Sequence, residues 1–268
     1  MGDICHQYRI RQETLQKDVE DGFPTNLRPR DFILAQEPYT KEHKKFIERY
    51  EWLGNIGQSV GKIFTARWEG KLAGVVIIGA PNAYSFDMRL EALIQRGACA
   101  SWTPKNLGSM LVMFGCHWMV NNTEKRIFTA YSDPEAGEIG TIYQACNFDY
   151  LGQKWGAGKM YFIDGKWKSM RTFTNTWGVH KWAKELGIEW LPEWTISKSG
   201  RQNLKTMPRE ITNRLRAYGN AKAKACSVKN QPKKGKYVLL LGKDKRETKK
   251  LEVLRTWKKL KYPKRGCN

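Results

Sequence analysis

The chain has 268 residues, 47 Lys and Arg against 26 Asp and Glu, and 41% hydrophobic side chains. That length suits one or two globular domains, and no apolar run approaches the ~20 residues needed to span a bilayer. Residues 151–268 hold 30 basic and 8 acidic side chains while residues 1–150 hold 17 and 18, so the whole basic excess lies in the C-terminal part.

Taken in chain order, residues 1–35 read as a polar N-terminal arm, irregular or mobile, with Pro24 and Pro29. The start, Met1-Gly2-Asp3-Ile4-Cys5-His6, lacks a signal-peptide core, and His6 breaks the myristoylation pattern. Thr40 to Leu53 predicts a helix with Phe46, Tyr50 and Leu53 on one stripe and Thr40 as its cap. Lys62 to Gly79 predicts a hairpin turning at Glu69-Gly70-Lys71, with β-branched arms suited to buried strands. Leu90–Ile94 is a short strand. Thr103 caps the next helix and Pro104 suits its first turn, with Leu107, Met110, Leu111, Phe114 and Trp118 on the core face. Ile127–Tyr131 is a further strand, closed by Ser132-Asp133-Pro134, and Ile142–Phe148 is a short helix.

Past Gly152, Lys159–Asp164 and Trp167–Phe173 form a strand pair around Asp164-Gly165-Lys166, and Lys181–Leu186 and Pro208–Tyr218 read as helices. A Lys-rich stretch, 221–236, leads into the strand Tyr237–Leu241 and then a basic tail. The expected division is an arm at 1–35, a catalytic core at 36–175 and a basic extension at 176–268, with strand 236–241 returning to the core. Six cysteines are scattered without a Cys-x-x-Cys pair, which argues against a zinc ribbon or disulfide framework and for a reduced, cytoplasmic protein. His117 sits on the core helix and reads as a satisfied core histidine, so no metal ligand set is expected.

Three groups carry possible chemistry. The turn Lys105-Asn106-Leu107-Gly108-Ser109 offers helix-start amides, a cation and a hydroxyl, a combination that suits the pyrophosphate of a nucleotide-type carrier. Its plainer reading is an ordinary core helix. Tyr131, Ser132, Asp133 and Tyr143 place phenols, a hydroxyl and a carboxylate at the ends of adjacent elements, and Glu91 is a further candidate base. Singly, each of these reads as packing or capping. Together they suit deprotonation of an amine and protonation of a leaving thiolate. The basic extension recruits a polyanion, and aromatics interleaved with the charge point to nucleic acid. Candidate contacts are Lys233, Lys234, Lys236, Lys243, Lys245 and Arg246, with Trp102, Trp155 and Trp167 available to stack on a base.

The order hairpin, strand, turn and helix, strand, then a helix ending Tyr143-x-x-x-Asn147-Phe148 resembles the GCN5-related N-acetyltransferase (GNAT) superfamily. The usual Gly-x-Gly pyrophosphate loop is replaced by Thr103–Ser109. Within that superfamily, Pro104-Lys105-Asn106, Tyr131-Ser132-Asp133-Pro134-Glu135-x-Gly137 and Gly140–Phe148 resemble the phage Mom DNA-modification proteins, best over Lys62–Gly152. The resemblance implies an α/β fold with a mixed, mostly antiparallel central sheet flanked by helices. It implies acetyl-CoA or a related acyl-CoA as donor, held by the 105–109 amides, and Tyr131, Asp133 and Tyr143 as catalytic residues. The acceptor it implies is the exocyclic amine of adenine in double-stranded phage DNA, modified in a bacterial cytoplasm to block host nucleases. Two other functions fit the residues: an acetyltransferase acting on a protein or small-molecule amine, and a non-catalytic nucleic-acid-binding protein of this fold.

Overall fold

Two antiparallel strands, each buried without a break along its middle, are joined at Glu69-Gly70, where both residues take positive φ. The computed structural model describes residues 5–56, 61–81, 85–156, 158–174, 176–194 and 206–264. The chain forms two units, one of residues 1–155 with 233–268 and one of residues 156–232.

The larger unit runs α1 (His6–Glu20), β1 (Ile33–Glu37), α2 (Lys41–Tyr50), β2 (Lys62–Trp68), β3 (Lys71–Gly79), β4 (Glu91–Cys99), α3 (Leu107–Asn122), β5 (Ile127–Ser132), α4 (Thr141–Ala145) and β6 (Asp149–Trp155). The smaller unit then contains β7 (Lys159–Ile163), β8 (Lys166–Ser169), α5 (Arg171–Thr174), α6 (Thr176–Glu185), α7 (Arg209–Lys224) and β9 (Val228–Asn230). The chain re-enters the larger unit as β10 (Lys234–Leu240) and α8 (Lys245–Leu251). The expected boundary at 175/176 therefore falls inside the smaller unit, and residues from 233 onward belong with the larger one.

The larger unit's sheet has seven strands in the order β1-β2-β3-β4-β5-β10-β6. Every neighbouring pair is antiparallel except β4 with β5. This is the mixed α/β, mostly antiparallel sheet flanked by helices that the sequence predicts. On the face covered by α3, Phe64, Ile78, Ala92, Phe128, Ala130 and Tyr237 meet Leu107, Leu111 and Cys116 of that helix. The other face carries a smaller cluster of Ile127, Leu151, Val238 and Leu240. Two-residue alternation explains the split, because Phe128 and Ala130 point one way while Ile127 and Thr129 point the other.

The N-terminal arm is not irregular. His6–Glu20 of it form α1, held by one buried carboxylate: Asp18 accepts from Arg49 (2.5 Å), from the Tyr50 hydroxyl (2.8 Å) and from Ser101. α2 ends at Tyr50, three residues before the expected Leu53, which is 41% exposed. Thr103 does not cap α3. Its hydroxyl bonds Ala100 at 2.7 Å, and Asn106 takes the cap position. Phe173, expected in a strand, lies in α5 at the centre of the smaller unit's core with Trp182, Trp194 and Leu215. Among the described residues no helix is long and apolar enough to cross a membrane.

Candidate functional site

The parallel pair at the sheet's centre is brief. Glu91–Leu93 pairs with Ile127–Thr129 and no further. Beyond that point β4 continues along β3 and β5 along β10, so the two strands part toward their C-terminal ends. The carboxyl ends of parallel strands are where open α/β sheets accept ligands.

α3 begins on the β4 side of this opening. Its first i→i−4 bond runs from the Met110 amide to the Asn106 carbonyl (3.1 Å), so the Gly108 and Ser109 amides precede the helical ladder and point out of the N-terminus. A Cβ on Gly108 would lie 3.1 Å from Ile142 Cδ1, so glycine lets α3 start against α4. Lys105 and Asn106 are exposed, whereas the Leu107 side chain is fully buried and leaves only backbone to the site. The Ser109 hydroxyl donates to the Asn106 carbonyl at 3.0 Å.

The β5 side carries the titratable groups. Asp133, 7% exposed, accepts from the Glu135 amide at 3.0 Å and pairs with Lys234 at 3.2 Å. Its own amide donates to Glu138 at 3.0 Å, and Glu138 also accepts from the Trp52 indole at 2.8 Å. Burial raises the Glu138 carboxyl above the ordinary glutamate value, and the charge of Asp133 adds to that rise. Burial likewise raises Glu51 at the end of α2.

Tyr143 of α4 packs against Phe148 (5.6 Å) and Tyr237 (5.4 Å). Burial, then the charges of Glu138 and Glu51 among its neighbours, push its phenol far upward, so at neutral pH it is a proton donor and not a base. Tyr237 donates to the Ile139 carbonyl at 2.5 Å and so fixes the loop that carries Glu138. Only glycine fits at position 140, where φ is +68° and a Cβ would lie 2.4 Å from the Tyr237 ring. Ser132 is buried and bonds Tyr237.

The expected cluster is thus divided between the faces of the sheet. Ser132 lies on the α3 face. Tyr131 lies opposite Lys236 in the β5–β10 ladder, on the other face. Glu91 belongs with them: it is 1% exposed and accepts from the Thr129 hydroxyl (2.6 Å) and the Phe86 amide (2.5 Å). At that depth it is closed off from any substrate, so it is a structural acid and not a site base. Glu138, Glu51 and Trp52 went unrecognised in the sequence. Glu138 stands in a loop without periodicity and Glu51 and Trp52 follow the end of α2, so only folding brings them to Asp133 and Tyr143.

The nucleic-acid candidates divide in the same way. Trp102 is 2% exposed and stacks on Phe23 (4.8 Å), with Phe32 and Trp68 at 5.9 Å, so it is core and cannot receive a base. Lys236 is 1% exposed, with its ammonium 3.9 Å from the Phe86 ring centroid, so it cannot reach a phosphate. Burial lowers the Lys236 pKa, and the charge of Glu91 opposes that fall. Lys233, Lys243, Lys245 and Arg246 are exposed, and Lys234 is half-buried in its pair with Asp133. The Trp155 side chain lies outside the described residues.

After α8 the basic tail folds back onto β6 and α4. Arg255 and Lys259 pair with Asp149 at 3.0 and 3.2 Å. Tyr262 donates to the Phe148 carbonyl at 2.7 Å, and Gln144 reaches the Pro263 carbonyl at 3.4 Å. Lys258, Lys261 and Lys264 stay exposed along this path. Among the described residues no group of three or more His, Cys, Asp or Glu is placed to hold a metal ion.

The sequence matches the model of the Mom protein family over residues 40–264. The chain belongs to the Mom family. No curated protein sequence matches it. Among solved structures, this Mom-family chain is similar to an acetyltransferase from Bacillus subtilis in complex with CoA, at 13% identity and TM-score 0.36, covering 78% of this chain and 99% of that one. It is also similar to a GNAT family acetyltransferase from Elizabethkingia anophelis with acetyl-CoA bound, at 12% identity and TM-score 0.35, covering 79% and 99%. A GNAT family acetyltransferase from Streptococcus pneumoniae gives 16% identity and TM-score 0.35 over 51% and 94%. At such scores, what those enzymes act on does not transfer to this chain.

Proposed function

We propose that this protein is a DNA base-modifying acyltransferase that alters the exocyclic amine of adenine in phage DNA. The observation that carries the reading is the seating of the basic tail on α4. That helix holds Tyr143, and Gln144 beside it reaches Pro263 of the tail. The basic tail and the part-buried Tyr143 phenol therefore meet at one helix, next to the loop that carries Glu138. Membership of the Mom family supports the reading through the DNA modification its resemblance implies.

An activated acyl group on a thioester carrier, acetyl-CoA or a related acyl-CoA, supplies the electrophile. The residues present suit it: Gly108 and Ser109 offer outward amides at a helix start, and Lys105 stands exposed beside them. Glu138, its carboxyl raised by burial, accepts a proton from the attacking amine directly or through water. Tyr143 keeps its proton at neutral pH and delivers it to the leaving sulfur. Asp133 holds the Glu138 loop through its amide and anchors Lys234 at the rim. An adenine amine inside a duplex is reached only by extruding the base, at a cost of a few kcal/mol, and phosphate contacts from the tail offset that cost.

The test is mass spectrometry of nucleosides from DNA co-expressed with the protein. A mass shift on deoxyadenosine supports the reading and identifies the added group. An unmodified nucleoside pool from cells containing folded protein overturns it.

A further inference from the structure

The smaller unit carries an aromatic surface that its own core does not use. Its sheet has the order β8-β7-β9, and on β7 alternate side chains part. Tyr161 and Ile163 turn inward to the cluster of Phe173, Trp182 and Leu215. Phe162 turns outward directly opposite Trp167 of β8, and Met160 is opposed by Lys229 of β9. Phe162 is 45% exposed and Trp167 is 39% exposed, with ring centroids 5.3 Å apart. The Lys229 ammonium lies 4.9 Å from the Trp167 ring centroid.

We infer that this sheet face is a stacking site for unpaired bases of single-stranded DNA. Two adjacent exposed rings on a rigid sheet lose little conformational freedom on binding, and every nucleobase has a π-face to lay on them. A buried pair would need no further explanation, but exposed large aromatics on a cationic surface do. Residues 156–232 hold 15 basic and 5 acidic side chains, so the field around the rings favours a polyanion over an acidic-poor peptide or an apolar partner. Lys229 fits the same role. An exposed cation–π contact is weak, so its ammonium leaves the ring for a phosphate once a base takes the ring face. The inference rests on the proposed function only in taking DNA as the polymer, because extruding a base leaves its partner and neighbours unpaired.

The test uses the full-length chain and fluorescence anisotropy with a labelled oligo(dT) and a blunt duplex of equal length. Trp167→Leu keeps apolar bulk without an aromatic face and should weaken single-strand binding about 5- to 150-fold, the effect of losing one stacked base. Trp167→Phe should retain most of the affinity, and duplex binding by both variants should stay within about twofold of the parent. Lys229→Gln should reduce the salt slope on oligo(dT) by about 0.7, one single-strand phosphate contact. Unchanged single-strand affinity in folded Trp167→Leu overturns the inference, as does an equal loss on single strand and duplex. Nucleoside mass spectrometry on the same variants separates the two readings. Trp167-dependent oligo(dT) binding without any modified nucleoside sinks the proposed function alone, and modification with Trp167-independent binding sinks the stacking site alone.

Discussion

Two lysines of β10, two residues apart, each face a carboxylate, and the pairs do opposite work. Lys236 and Glu91 are both 1% exposed, and the Thr129 hydroxyl and the Phe86 amide take the oxygens of Glu91. Lys234, 36% exposed, meets Asp133 at the rim where β5 ends. The first two groups are sealed in the interior, where Glu91 ties β4 to Thr129 of β5 and Lys236 lies over the Phe86 ring. The second is open to whatever enters between β4 and β5, and through the Asp133 amide it bears on Glu138, whose charge reaches Tyr143. Residue type alone does not tell a structural acid from a reactive one. Depth of burial does.

Breaking the sealed pair should have the largest effect. Glu91→Ala strands the Lys236 cation in the interior and should cost about 3–5 kcal/mol in denaturant unfolding. A loss below about 1 kcal/mol would mean that the pair is solvated. The contrast sharpens on DNA. Changing Lys243, Lys245 and Arg246 together to Gln should lower the duplex salt slope by up to about 0.9 per contact, whereas Lys236→Gln should leave that slope alone and lower stability. A slope that drops for Lys236→Gln would put its ammonium outside the core.

The pH dependence follows from the raised carboxyls. Glu51 and Glu138 have folded pKa values above 4.5, so between 4.5 and those values the folded state binds more protons than the unfolded chain. Their contribution to stability is therefore present at low pH and is lost as pH rises through the folded values. Glu51→Gln with Glu138→Gln should flatten the fall in melting temperature that these groups cause above pH 4.5, and an unchanged profile would remove the case for their burial. Lys234→Gln should show the smallest effect, within about 1 kcal/mol of the parent, since a cation this exposed gains little from its partner.

Local pattern made much of the larger unit legible. β-branched runs with Glu69-Gly70 between them give β2 and β3, and three-four spacing gives α3. What stayed hidden depends on distant partners. α1 reads as a polar arm because its one buried anchor, Asp18, finds Arg49, Tyr50 and Ser101 only in the fold. Trp102 looks available for a base until Phe23, Phe32 and Trp68 close around it. Lys236 looks like a surface cation in a Lys-rich run, yet β10 lies between β5 and β6 and its outward face is covered. Asp133 and Tyr143 were legible as a phrase, but Glu138, which couples them, has no sequence pattern of its own.

The measurement that bears most directly on the proposed proton transfer is the rate at which Glu138→Gln modifies DNA, read by nucleoside mass spectrometry alongside its duplex affinity and melting temperature. The expected result is a loss of about 100-fold or more in modification, the scale of a lost proton-transfer arrangement, with affinity and melting close to the parent. Full modification by Glu138→Gln, or a loss that only tracks weakened DNA binding, would contradict its role as the base.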